Sequence, residues 1–192
     1  MELTAANILT LSRLVLAPVF VVLFVIGQYG WALAVFIFAG FTDLIDGTVA
    51  RMLRQRSQGG ALLDPIADKL LVQSCFISLA WIGALPWWFA ALALARDVMI
   101  VGGIFYLEHV RAPLPYRPAV ISKFATLFQI GTAVLGLVTI WKPELMISGV
   151  RADELLVWTI YATAALIVAS GARYVSMGLQ ILRQHRLGSR KS

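Results

Sequence analysis

Apolar runs of membrane-crossing length alternate with short polar or breaker-rich connections six times along the chain, near residues 11–27, 31–50, 65–83, 86–107, 122–141 and 155–181. A spanning helix needs about 20 residues at about 1.5 Å rise each. The pattern therefore predicts an all-α, polytopic membrane protein of six transmembrane helices, a single domain over residues 1–192 with 185–192 as a basic tail. Gly27-Gln28-Tyr29-Gly30 and Gly83-Ala84-Leu85-Pro86 read as tight turns. Pro113, Pro115 and Pro118 mark the fourth connection, and the stretch from Lys142 to Glu154 marks the fifth. Arg13 before an apolar run, with Ala32 and Ala34 after it, also fits a cleaved leader. The hairpin partner directly behind that run favours a retained first span.

Composition agrees with the pattern, since 60% hydrophobic residues, 14% charged residues and a mean hydropathy of +0.84 exclude a soluble globular domain. The charges are sided. Arg51, Arg54 and Arg56 follow the second span, Arg111, Arg117 and Lys123 follow the fourth, and Arg183, Arg186, Arg190 and Lys191 end the chain. The other three connections carry only Lys142 and Arg151. Positive loops stay cytoplasmic, so both termini are expected there, and the net charge of +6 reflects topology and anionic headgroups, not nucleic-acid binding. Cys75 is the only cysteine and excludes an internal disulfide, while His109 and His185 lack metal-ligand spacing.

One stretch violates the apolar pattern. "FTDLIDGTVARMLRQRSQGGALLDPIADKLL" carries Asp43, Asp46, Asp64 and Asp68 at the cytoplasmic ends of the second and third spans. Spacings of three and four put each pair on one helix face. With Arg51 through Gly60 as the turn, the two helices are expected to be antiparallel neighbours and the four carboxylates to converge. Two unit charges about 5 Å apart at an effective dielectric near 20 repel by roughly 3 kcal/mol. Protonation or bound divalent cations must relieve that repulsion. A donor set of oxygens without cysteine or histidine suits Mg²⁺ or Mn²⁺. The alternative is capping or ion pairing with Arg51, Arg54 and Lys69; against it, each acid at membrane depth costs about 2.5–3.5 kcal/mol. Asp97, beside Arg96, is either a further functional acid or part of a local ion pair. Gly47 and Gly60 flank the acids and, with Arg51, suggest that a phosphodiester or pyrophosphate approaches the backbone there.

These residues, Asp43-x2-Asp46-Gly47-x2-Ala50-Arg51-x8-Gly60-x3-Asp64-x3-Asp68, match the signature of the CDP-alcohol phosphotransferases at every motif position. Asn7-Ile8-Leu9-Thr10-x2-Arg13 resembles the family's N-terminal stretch. The resemblance implies a homodimer of six-helix protomers that moves a phosphatidyl group from CDP-diacylglycerol to an alcohol, releasing CMP. It also implies that Asp43, Asp46, Asp64 and Asp68 bind two divalent cations, that Asp68 is the base, and that Gly47, Ala50, Arg51 and Gly60 line the CDP site.

The acceptor is read from a finer resemblance. Family members using glycerol 3-phosphate, the phosphatidylglycerophosphate synthases, generally show an arginine eight residues after the position of Arg96 and a Lys-x-Lys pair opening the fifth span. Here those positions are Ile104 and Lys123-Phe124-Ala125. "ARDVMIVGGIFY" and "PAVISKFATLFQ" are similar to the CDP-alcohol-type cardiolipin synthases, whose acceptor is phosphatidylglycerol. Phosphatidylglycerol is the expected acceptor and glycerol 3-phosphate the alternative, with Arg96, Arg111, Arg117 and Lys123 as candidate contacts. An ion transporter is the rival from another class, but the acids gather at one face instead of crossing the bilayer. The absence of an Arg-rich segment before Asn7 favours a bacterial inner membrane over an organelle.

Overall fold

The computed structural model describes residues 5–53, 60–110, 120–147 and 149–189, with side chains described for 15–42, 69–107, 109–110, 120–147 and 149–183. Six helices account for nearly all of it: α1 (Ala5–Val25), α2 (Tyr29–Leu53), α3 (Gly60–Trp81), α4 (Trp87–His109), α5 (Val120–Trp141) and α6 (Ala152–Ser189). Among the described residues, Trp87–Leu107, Val120–Trp141 and Ala152–Arg183 are long and apolar enough to cross a membrane. Val15–Val25, Tyr29–Thr42 and Lys69–Trp81 are shorter apolar helical stretches.

The two tight turns form as their glycines require. Gly27 and Gly83 both have φ +78°. In each, the glycine N–H donates three residues back and the following N–H donates five back: Gly27 to Phe24 and Gln28 to Leu23, Gly83 to Ala80 and Ala84 to Leu79. This closes the last carbonyls of α1 and α3 in a Schellman motif, which a left-handed residue without a Cβ permits. The α5–α6 connection holds an element the hydropathy pattern did not reveal. Strands β1 (Met146–Ile147) and β2 (Val150–Arg151) pair antiparallel before α6 begins with Asp153 and Glu154 in its first turn. Acidic side chains there complement the helix dipole.

The acid-bearing hairpin departs from expectation in two ways. Arg51 lies within α2 and Gly60 is the first residue of α3, so both ends of the stretch assigned to the turn are helical, and residues 54–59 lie outside the described residues. Among the described residues, α2 packs chiefly on α1 and then α5, and α3 on α1 and then α4, not on each other. The reason is the aromatic face of α1. Phe20 is fully buried and lies 6.0 Å from the Phe36 ring of α2, while α1 also packs along α3. The rest of the apolar core sits at the same end: Phe76 meets Phe89 edge-on at 5.1 Å, and Leu79, Leu137 and Ile160 are buried beside them. At Gly136, an added Cβ would come within 2.8 Å of Leu79 Cδ1, a measure of how closely α5 approaches α3.

All six tryptophans also gather at this end. Trp31 opens α2, Trp81 closes α3, Trp87 and Trp88 open α4, Trp141 closes α5 and Trp158 lies in the second turn of α6. They are 47% to 78% exposed, and Lys142 Nζ lies 4.6 Å from the Trp141 ring centroid. Exposed indoles at one end of an apolar bundle are the pattern that aromatic belts at membrane–water interfaces show.

Candidate functional site

The opposite end carries the acids. Asp43 and Asp46 fall within α2, as do Gly47, Ala50 and Arg51, and Asp64 and Asp68 fall within α3, which Gly60 opens. The helical backbone is continuous through both pairs, so residues three and four apart stand on one face of each helix. The side chains of residues 43–68 lie outside the described residues, as do Arg111 and Arg117 altogether. The donor set fits a hard divalent cation on its chemistry: four carboxylates on two helices, with the one cysteine, Cys75, buried in the apolar core.

Immediately below the acids in α3 begins a buried polar network. Asp97 is 5% exposed and is the only buried acid among the described residues. Its Oδ1 accepts from Lys69 Nζ at 2.8 Å and from Arg96 Nη1 at 2.8 Å, and its Oδ2 accepts from Gln73 Nε2 at 3.0 Å. Arg96, also buried, donates from Nη2 to Ser122 Oγ at 2.5 Å and to Ser170 Oγ at 3.2 Å. One carboxylate and one guanidinium thereby join α3, α4, α5 and α6. Burial in a low dielectric strengthens each of these bonds and makes each costly to break.

This geometry shows Asp97 in the local ion pair that was one of its two sequence readings. It also gives Lys69 a partner other than the four aspartates. Arg96 is engaged through both terminal nitrogens, and only its Nε lacks a protein partner. Lys123, next to Ser122, is exposed. Ile104 lines an apolar groove between α4 and α6 with Met99, Gly103, Leu107, Tyr174 and Gly178. Sequence reasoning did not single out Gln73, Ser122 or Ser170. The available signal was Lys69 and Gln73 standing four apart in an otherwise apolar stretch of α3, one helical turn that had to find a polar partner.

A family model described as CDP-alcohol phosphatidyltransferase matches residues 3–171, which include both acid-bearing helices and every member of the Asp97 network. The chain belongs to the CDP-alcohol phosphatidyltransferase family. Among curated relatives of this family, it is 36% identical over 157 residues to a probable CMP-forming cardiolipin synthase of Drosophila melanogaster, a match covering 73% of this chain and 49% of that protein. A Schizosaccharomyces pombe protein that fuses a CMP-forming cardiolipin synthase to a mitochondrial hydrolase is 35% identical over 186 residues, 89% of this chain and 30% of the other. A putative cardiolipin synthase of Mycobacterium bovis is 36% identical over 166 residues, 83% of this chain and 77% of the other. The chain thus spans half or less of the length of the two eukaryotic relatives and most of the mycobacterial one.

Proposed function

We propose that this CDP-alcohol phosphatidyltransferase makes cardiolipin, transferring the phosphatidyl group of CDP-diacylglycerol to phosphatidylglycerol with release of CMP. The observation that carries the reading is the family signature standing on two continuous helices, with Asp43 and Asp46 in α2 and Asp64 and Asp68 in α3. Asp68 accepts the proton of the acceptor hydroxyl; that oxygen bonds to the phosphorus nearest the diacylglycerol, the pyrophosphate P–O bond breaks, and CMP departs with the electron pair. A positioned carboxylate is suited to this because a hydroxyl is a weak nucleophile at neutral pH. Asp43, Asp46, Asp64 and Asp68 would hold two Mg²⁺ or Mn²⁺ ions. Bound there, such ions supply charge neutralisation to the pyrophosphate and to the leaving CMP. Gly47, Ala50, Arg51 and Gly60 line the CDP site, where small residues let a nucleotide approach the backbone and Arg51 meets phosphate.

The acceptor reading draws support from three sides. The relatives bear cardiolipin synthase names. Ile104 stands in an apolar groove, and that groove suits a lipid better than a phosphomonoester dianion. The nearest buried guanidinium, Arg96, already has partners, which leaves Lys123, Arg111 and Arg117 as the acceptor's cations. The six helices span the bilayer with the acid-bearing end cytoplasmic, a reading supported by the tryptophan belt at the opposite end and by the basic connections at this one. Two such protomers form the homodimer.

Product identification tests the reading. Purified protein is incubated with CDP-diacylglycerol, Mn²⁺ and either phosphatidylglycerol or glycerol 3-phosphate, and lipids are resolved by mass spectrometry. Cardiolipin together with stoichiometric CMP is expected from phosphatidylglycerol. Phosphatidylglycerophosphate as the dominant product would overturn the acceptor and leave the transfer chemistry standing, whereas no CMP from either acceptor would overturn the function.

A further inference from the structure

The polar network has a feature that neither helix packing nor acceptor binding requires: its two ends are the sequence neighbours of two residues assigned to chemistry. Lys69 follows Asp68 in α3, and Ser122 precedes Lys123 in α5. Between them runs an unbroken series of bonds, Lys69 to Asp97, Asp97 to Arg96, Arg96 to Ser122. We propose that the Asp97–Arg96 pair is a positioning device that fixes the acidic face of α3 relative to α5 and α6, so that Asp64 and Asp68 meet their metal and the acceptor in one register. The proposal rests on the reading of Asp64 and Asp68 as metal ligands.

Helix geometry explains how one carboxylate can do this. Successive residues are turned by about 100° around a helix axis, so Lys69 leaves α3 on a different face from Asp68 while belonging to the same turn. Gln73 lies four residues on, directly above Lys69 on that second face. Asp97 grips both, Lys69 through Oδ1 and Gln73 through Oδ2. Two attachment points one turn apart fix the rotation of α3 about its axis and its height along it. Any slip of α3 that released Lys69 would swing the Asp64–Asp68 face by the same angle. Apolar packing alone is tolerant of such slips, whereas directional bonds are not.

Arg96 supplies the rest of the frame. Adjacent helical residues do not normally face one another, yet Arg96 Nη1 turns back 2.8 Å onto Asp97 Oδ1 while Nη2 reaches the serines of α5 and α6. Its side chain is 4% exposed, with both terminal nitrogens turned to partners inside the bundle. Lys69, at 31% exposure, is the accessible arm of the assembly and can be removed while the buried pair stays intact.

The test compares Asp97→Asn, Lys69→Met and the double variant with wild type and with Asp64→Asn, all in detergent. Mn²⁺ binding is followed by electron paramagnetic resonance, kcat and the phosphatidylglycerol KM by CMP release, and folding by thermal unfolding. Residues acting behind metal ligands typically change affinity or activity by about 10- to 100-fold, and a loss of that size in Mn²⁺ affinity and kcat is expected for Asp97→Asn, with KM unchanged. Lys69→Met should move both in the same direction by less, and the double variant should be no worse than Asp97→Asn. Unchanged Mn²⁺ affinity and kcat in folded Lys69→Met and Asp97→Asn would overturn the proposal. A raised KM with Mn²⁺ affinity intact would overturn it too, in favour of acceptor binding by Arg96. If Asp97→Asn fails to fold, Lys69→Met decides alone. Loss of Mn²⁺ binding in Asp64→Asn upholds the underlying ligand reading whichever way Asp97 falls; Mn²⁺ binding that Asp64→Asn leaves untouched overturns that reading and the proposal with it.

Discussion

At the tryptophan end the helices meet through Phe20, Phe24, Phe36, Phe76, Phe89 and Leu137; a few turns away, the same bundle meets through Lys69, Gln73, Arg96, Asp97, Ser122 and Ser170. Both layers are largely buried, yet they constrain the fold differently. Ring and aliphatic contacts are individually weak and numerous, so each tolerates small shifts of its neighbours. The polar layer has few contacts, each with a fixed distance and direction, and each expensive to leave unmade. The first layer gives the bundle its cohesion. The second sits beside the acid-bearing turns of α3, where, under the proposed mechanism, a displacement of an ångström matters to chemistry.

That comparison predicts a separation of stability from activity. The largest effect belongs to the acids themselves: Asp68→Asn removes the proposed base while keeping its size, and a general base contributes about 10²- to 10⁴-fold. CMP release should fall by that factor with the thermal midpoint nearly unchanged. Retention of full turnover would remove Asp68 from the base role and with it the claim that this end of the bundle is the chemical one.

Phe76→Ala probes the other layer. Phe76 is fully buried and packs edge-on against Phe89, and deleting a buried phenyl ring typically costs about 3 kcal/mol or more. Thermal unfolding in detergent should drop sharply while kcat per folded molecule stays constant. A fall in kcat among the molecules that remain folded would mean that the aromatic layer also sets the register of the acids, and the division would break down.

The sequence carried these two layers unequally. Six apolar runs became six helices, and the turns at Gly27 and Gly83 formed where breakers stood, because hydropathy and left-handed glycine are local properties. The spacing of Asp43, Asp46, Asp64 and Asp68 was likewise local and could be read as paired helical faces. The α6 helix outruns its apolar segment and reaches Ser189, since hydropathy measures a span and Arg183, Gln184, His185 and Arg186 are polar without being helix breakers. The partners of Asp97 were not legible. Gln73 and Lys69 lie 24 and 28 residues before it, and Ser170 lies 74 beyond Arg96. Only the packing of α4 between α3 and α6 brings them together. The two-residue strands β1 and β2 were too short for any period-two pattern.

A smaller effect is expected between the layers. Thr132 and Thr163 hydroxyls lie 2.8 Å apart and join α5 to α6. Thr163 Oγ1 also lies 3.4 Å from the carbonyl of Phe128, so its hydroxyl keeps an acceptor when Thr132 is replaced. Interhelical hydrogen bonds of this kind average about 0.6 kcal/mol, and Thr132→Val should lower stability by about that much without altering Mn²⁺ affinity. A loss as large as that of Phe76→Ala would mean that hydroxyl bonds rival ring packing in holding α5 to α6.

The smallest effect tests whether burial, and not ion pairing as such, gives the polar layer its role. Arg151 and Asp153 form a bidentate pair at 3.0 Å through both Nε and Nη2, a more regular geometry than that of Arg96 with Asp97. Yet their side chains are 60% and 53% exposed, against 4% and 6% for the buried pair. Water and salt screen such a pair, and many of its kind contribute nothing measurable. Arg151→Ala should therefore leave the thermal midpoint, Mn²⁺ affinity and turnover at wild-type values. If it instead moved Mn²⁺ affinity as Asp97→Asn is expected to, charge pairing anywhere in the protein would suffice. The position of Asp97 one bond from the turn of Asp68 would then lose its significance.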